Sequence, residues 1–198
     1  MSAETRLVAD VLIVDDLAAT RSWLQRACAL AFADARIVCA DSLRSGREAA
    51  RAQLPDLALI DLRLPDGHGS ALISELRAAR ASACLIVPTI FDDDAYLFDA
   101  LRAGASGYLL KDQSPETLAS GLQRLQRGEP AMSMPLARRV LRMAQNDTLS
   151  LRAEERLLLQ ARARGLSPTE AATAANLDRA RAGRCIAAIY RRLAGGED

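Results

Sequence analysis

Leu57-Ala58-Leu59-Ile60-Asp61, followed by Leu62-Arg63-Leu64-Pro65-Asp66-Gly67, decides the fold class. Four apolar residues in a row are too few for a buried helix. Bounded by Pro55 on one side and Pro65-Asp66-Gly67 on the other, they read as a strand buried on both faces of a parallel sheet. Asp61 falls where that strand ends. Ligand crevices of open α/β sheets lie outside the carboxyl ends of the strands. A carboxylate there is placed for chemistry, whereas one in mid-strand would only cost desolvation.

The same pattern recurs on both sides of this stretch. Val11-Leu12-Ile13-Val14 runs into Asp15-Asp16, after which Leu17, Trp23, Leu24, Ala27, Cys28 and Ala31 return at roughly helical spacing. Residues 35–40 read as a strand, and 42–53 as a helix that Ser42 can cap. Beyond the Asp61 strand come a Gly-rich turn, a helix through Ile73 and Leu76, and an apolar run at 84–87 ending at Pro88-Thr89. An acidic cap, Asp92-Asp93-Asp94, precedes a helix carrying Leu97 and Leu101 that Gly104 stops. Residues 107–110 form a fifth strand closed by Lys111, and Ser114-Pro115-Glu116 opens a helix with Leu118, Leu122 and Leu125. Five successive β–α units predict an α/β domain over residues 1–127, a doubly wound five-stranded parallel sheet with helices on both faces.

In that arrangement Asp15, Asp16, Asp61, Thr89 and Lys111 all lie just past strand ends, so one rim of the sheet gathers them. Three carboxylates together repel unless a hard dication shares them or one holds a proton, and Mg²⁺ suits such a set. Phosphoryl transfer needs a nucleophile, a metal on the phosphate oxygens and a cation for the remaining charge. Asp61, the Asp15-Asp16 pair and Lys111 supply those parts, and Thr89 adds a hydroxyl donor. An aspartyl phosphate is the covalent species a carboxylate nucleophile forms. A lone aspartate at a strand end is an ordinary loop residue; it is the matching set at successive strand ends that makes the rim a candidate site.

Composition bounds the rest. Half of the 198 residues are apolar and about a quarter charged, which suits a soluble globular chain of one or two domains. No run of eighteen apolar residues and no signal-peptide core is present, so the expectation is a cytoplasmic protein with no membrane partner. Cys28, Cys39, Cys84 and Cys185 lack metal or redox spacing and read as small buried hydrophobes. The net charge of +1 hides an asymmetry: residues 1–127 carry 14 basic and 17 acidic side chains, and residues 148–198 carry 9 against 6. A mildly basic tail permits a nucleic-acid partner without demanding one. Of the 26 basic residues only Lys111 is lysine, and a compact ammonium is not interchangeable with a guanidinium at a tight site.

Val14-Asp15-Asp16, Leu59–Gly67, Thr89 and Gly104-Ala105-Ser106-Gly107-Tyr108-Leu109-Leu110-Lys111 resemble the receiver domain of two-component response regulators, without a gap from 7 to 127. The resemblance implies a flavodoxin-like fold. It also implies that Asp61 is the phospho-acceptor charged by a sensor histidine kinase, and that Asp15, Asp16 and Asp61 hold Mg²⁺ with the main-chain carbonyl of Arg63. Thr89 and Lys111 match the residues that grip the phosphoryl group, Tyr108 the switch aromatic that answers Thr89, and Arg63 and Phe91 the positions that tune phosphoryl lifetime. Pro88 departs from the family, which usually has an aliphatic residue there; proline removes a strand N–H and stiffens the backbone beside Thr89. His68, the only histidine, reads as a turn residue.

Arg127-Gly128-Glu129-Pro130 breaks the chain, and residues 128–147 read as a linker with a helix that Ser133 can cap. From Leu151 three helices follow. The first holds Leu157, Leu158 and Leu159 and ends at Gly165; the second opens on the capping box Ser167-Pro168-Thr169-Glu170; the third begins after Asn176 and Asp178. Ala182, Ile186, Ile189 and Leu193 form one stripe of that last helix, with arginines opposite. Residues 148–198 therefore predict a small all-α helix-turn-helix domain, and its resemblance is to the LuxR-type DNA-binding domain of the NarL/FixJ class. The usual lysine of the recognition helix is Gly183 here. Contacts to DNA would then fall to Arg179, Arg181, Arg184, Arg191 and Arg192.

Together these imply a phosphorylation-switched DNA-binding transcription regulator, homodimeric when phosphorylated, and no enzyme beyond its own phosphoryl chemistry. The rival reading keeps the receiver but gives the degenerate helix-turn-helix a protein partner in place of duplex DNA. An aspartate-nucleophile phosphatase is disfavoured, since it wants an acid–base carboxylate two residues beyond the nucleophile, where Arg63 stands.

Overall fold

A computed structural model describes residues 8–89, 100–111, 113–126, 132, 134–146 and 148–193. Phe91, the acidic cap at 92–94, Leu97, the break at 127–130 and Ser133 lie outside the described residues. The strands are β1 (Asp10–Val14), β2 (Arg36–Ala40), β3 (Leu57–Ile60), β4 (Arg63–Leu64), β5 (Gly67–His68), β6 (Cys84–Thr89) and β7 (Gly107–Leu110). Five of them make one parallel sheet in the order β2-β1-β3-β6-β7. The helices α1 (Ala18–Ala31), α2 (Leu43–Ala52), α3 (Ser70–Ala79) and α4 (Pro115–Gln126) accompany it.

Alternation along the strands explains why both faces are covered. Leu57 and Leu59 of β3 join Val11, Ile13, Leu24, Ala27, Cys28, Leu118 and Leu122 on the side of α1 and α4. Ala58 and Ile60 join Leu12, Val14, Leu72, Ile73, Leu76 and Leu85 on the side of α2 and α3. A strand sandwiched in this way has no polar face, and its sequence is a continuous apolar run. Ser42 caps α2 and exchanges hydrogen bonds with Ser45. Gly104, with φ +102, follows a helix end at 100–102 in the left-handed conformation that suits glycine.

Some expectations shift. The Gly-rich turn after Asp61 is a two-residue antiparallel ribbon, β4 with β5, in which Arg63 pairs with His68. Asp66, at the tip of that ribbon, accepts the Leu43 and Arg44 amides at 2.7 and 2.8 Å and so anchors it to the start of α2. Leu17 precedes α1 and stays 59% exposed, and Cys39 is exposed on the edge strand β2, while Cys28 and Cys185 are buried.

Strand β6 runs through Pro88 to Thr89 instead of ending before it. The Leu85 carbonyl accepts from Ser106 on the β7 side, and the Cys84 amide donates to Asp56 on the β3 side. Alternation then turns the Pro88 nitrogen toward β3, beyond the last β3–β6 pair, Leu59 with Ile86. Proline fits where the ladder has already stopped.

The C-terminal part is helical: α5 (Met134–Gln145), α6 (Ala153–Ala163), α7 (Pro168–Ala174) and α8 (Arg179–Leu193). Helix α7 opens on the Ser167–Glu170 capping box, Gly165 has φ +90, and Asn176, with φ +55, makes the turn into α8. Leu158, Leu159, Ala171, Ala172, Ala182, Ile186, Ile189 and Leu193 are buried, whereas Leu157 is 50% exposed because its neighbours in sequence already fill the inward face. Among the described residues no helix is long and apolar enough to cross a membrane.

Candidate functional site

The sheet order reverses between β1 and β3: the chain leaves β1 toward β2 and returns to β3 on the other side. Asp15 and Asp61 cap those two strands, so they stand at the topological switch point where α/β sheets bind ligands. The Asp61 amide donates to the Val14 carbonyl at 2.8 Å and the Asp15 amide to Ala40 at 3.2 Å, which aligns the two strand ends. Carboxylate oxygens of Asp15, Asp16 and Asp61 lie within 4.8 Å of one another. Asp15 is fully buried, Asp61 partly exposed and Asp16 exposed, so the cluster opens to solvent on one side.

Lys111 reaches this cluster from the far end of β7. Its Nζ donates to Asp15 Oδ2 at 2.5 Å and lies 3.5 Å from Asp61 Oδ2. The Asp15 Oδ1 atom accepts the Leu17 amide, and Asp61 Oδ1 the Leu62 amide, both at 3.0 Å. Burial pushes the Asp61 carboxyl above its ordinary range and Asp15 adds to the rise, with the Lys111 ammonium opposing them. Gly69 is required beneath: a Cβ there would overlap the Asp61 carbonyl oxygen.

Thr89 ends β6, and its carbonyl accepts the Lys111 amide at 2.5 Å, so the hydroxyl-bearing residue and the ammonium share one backbone bond. Tyr108 is buried in β7 opposite Val87. Arg63 follows Asp61 by two residues with its side chain exposed. His68 holds Ser70 Oγ through Nδ1 at 2.7 Å, the local role of a turn residue.

In the helical part Arg179, Arg181, Arg184 and Arg191 are exposed along α8, and Gly183 is buried. Arg192, the fifth of the expected DNA contacts, is placed differently from the other four. Its guanidinium turns inward and donates to Glu155 at 2.6 Å, where a carboxylate only 1% exposed demands a partner. Sequence reasoning also missed Arg77, which spans α3 and the β7 approach by donating to the Gly104 carbonyl and Ser106 Oγ. Neither arginine carries a local sequence signal, since both partners are remote in the chain.

The family described as response regulator receiver domain matches residues 11–123. The chain belongs to this family. The response regulator is 30% identical over 165 residues to the nitrate/nitrite response regulator protein NarL of Escherichia coli K12, which covers 80% of this chain and 76% of NarL. The oxygen regulatory protein NreC of Staphylococcus aureus is 36% identical over 83 residues, covering 41% of this chain and 38% of NreC. Among solved structures, the RcsB response regulator of Salmonella typhimurium superposes over 98% of this chain and 95% of its own with a TM-score of 0.59 at 20% identity, a likeness of fold. The signal receiver domain of NarL from Mycobacterium tuberculosis gives a TM-score of 0.55 at 27% identity, over 62% of this chain and 99% of that one. This response regulator is thus a signalling protein of the two-component class and not a metabolic enzyme.

Proposed function

We propose that Asp61 is the phospho-acceptor of this response regulator, charged by the phosphohistidine of a sensor kinase. In this reading the phosphorylated chain, as a homodimer in the cytoplasm, regulates transcription by binding duplex DNA through α8. The observation that carries it is the Lys111 ammonium set between Asp15 and Asp61, beside three carboxylates whose oxygens lie within 4.8 Å.

All donors at the rim are hard oxygens, one carboxylate buried and two reachable from solvent, which fits Mg²⁺ held by Asp15, Asp16, Asp61 and the main-chain carbonyl of Arg63. Bound there, the ion would neutralise charge on the phosphoryl oxygens. The protein's own groups do the rest. One Asp61 carboxylate oxygen bonds to phosphorus while the bond from phosphorus to the imidazole nitrogen breaks, its electron pair leaving with the imidazole. The Leu62 amide on Oδ1 fixes the carboxylate's rotation. The Lys111 ammonium, 3.5 Å from Oδ2, donates to a phosphoryl oxygen, and the Thr89 hydroxyl to another. Movement of Thr89 toward the new charge alters the space beside Tyr108, biasing a two-state receiver.

The match to NarL covers 80% of this chain, more than the receiver domain alone, and the exposed arginines of α8 suit phosphate and guanine contacts by a recognition helix. The test incubates the protein with Mg²⁺ and acetyl phosphate. The expected outcome is one phosphoryl mass added to the wild type and none to Asp61→Asn; equal labelling of both removes Asp61 from its role.

A further inference from the structure

The arginines at the head of α8 are not equivalent. Arg181 donates through Nη2 to Glu154 Oε2 at 2.7 Å, from helix α8 to the first turn of α6. The Arg181 backbone amide is held as well, by Asp178 Oδ1 at 2.7 Å. Cys185 Sγ lies 3.8 Å from the other Glu154 oxygen, on the same side of α8. One turn along, Arg184 is exposed and has no hydrogen-bond or ion-pair partner among the described residues. An acidic side chain 27% exposed therefore stands beside Arg181, in the first turn of α8, the end of a recognition helix that meets base edges.

We infer that Glu154 is a specificity-determining residue of the DNA face, which deepens the DNA-binding reading and rests on it. Phosphate attraction depends on net charge and reads no sequence. The Glu154 carboxylate cancels the charge of Arg181 at close range. The remaining N–H groups of the Arg181 fork still suit a base edge, where hydrogen-bond geometry decides. Glu154 thus withholds Arg181 from unselective binding, and Arg184 supplies the phosphate attraction at this end of the helix.

The test uses the full chain as wild type, Glu154→Gln, Arg181→Ala and the double variant, each checked for folding by circular dichroism. Binding to a fluorescent random-sequence duplex is read across a KCl series. Glu154→Gln should bind roughly fivefold tighter at about 0.1 M salt, with the slope of log K against log [salt] steeper by about 0.9, one added phosphate contact. The same substitution in the Arg181→Ala background should change nothing. Elution from heparin is read in parallel, with Glu154→Gln eluting at higher salt. Duplex binding with an equal or shallower slope overturns the role of Glu154 and leaves the DNA reading standing. If no form binds duplex yet the heparin shift appears and depends on Arg181, Glu154 shields Arg181 and the DNA reading fails. No difference in either assay overturns the inference.

Discussion

The Lys111 ammonium lies 2.5 Å from Asp15 Oδ2, and the two residues are 96 positions apart in the chain. The contact closes the rim: it brings the end of β7 across to the end of β1 over Asp61. Asp15 is fully buried, so this ammonium is also what makes its charge tolerable. Lys111→Ala should destabilise the protein by about 3 kcal/mol, the cost of leaving a buried charge without its partner. Urea denaturation measures it. Acetyl phosphate labelling of the folded variant should fall at least roughly tenfold, the scale of a lost charge-stabilising donor.

Asp61 sets a pH dependence of the opposite sign to an ordinary surface carboxylate. Its folded pKa is raised, chiefly by burial, above the unfolded value. The native state therefore binds the Asp61 proton more tightly than the unfolded chain does. The ionised carboxylate costs stability that appears as pH rises through the carboxylate range and persists above it. With divalent ions chelated, Asp61→Asn should melt at a higher temperature than the wild type at about pH 7, and the gap should close toward about pH 3, where both states are protonated. A gap that widens on acidification contradicts this assignment of the burial cost.

Pro88→Val adds an amide aimed at the Ile60 carbonyl, one step beyond the Leu59–Ile86 pair that ends the β3–β6 ladder. A new hydrogen bond contributes about 1 kcal/mol, and loss of the proline's restraint on the unfolded chain takes back about as much. Global stability should therefore stay within about 1 kcal/mol. Hydrogen exchange should find residue 88 protected, and the changed tether of the strand end beside Asp61 and Thr89 should alter the aspartyl phosphate lifetime.

Arg192 and Arg184 share a helix and should behave as opposites. Arg192→Met strands Glu155, 1% exposed, and should cost about 3 kcal/mol in chemical denaturation. Arg184→Ala should leave stability within about 0.5 kcal/mol and reduce the salt slope of duplex binding by about 1.

Strand ends were legible in the sequence because a buried parallel strand is apolar throughout, so the first polar residue marks where it stops. Asp15, Asp61 and Lys111 stood out on that ground alone. Asp66 and Arg77 did not, because each earns its place through backbone groups of a remote segment, and no spacing rule points to them. The inward turn of Arg192 was not legible for a related reason. Helical periodicity separates the two sides of α8, but it says nothing of a buried glutamate on another helix that draws one arginine inward.

The order of apolar runs and turn residues by itself determined the β–α alternation, the doubly wound class and the residue types gathered at one rim, since backbone periodicity and parallel connections are local or nearly local constraints. Tertiary structure alone decided that Lys111 bonds to Asp15 while standing off Asp61, that Asp61 is buried enough to hold its proton more tightly, and that Glu154 and Glu155 claim two of the α8 arginines. Those outcomes depend on distances across the sheet and between helices, where burial and charge set energies that sequence spacing does not encode.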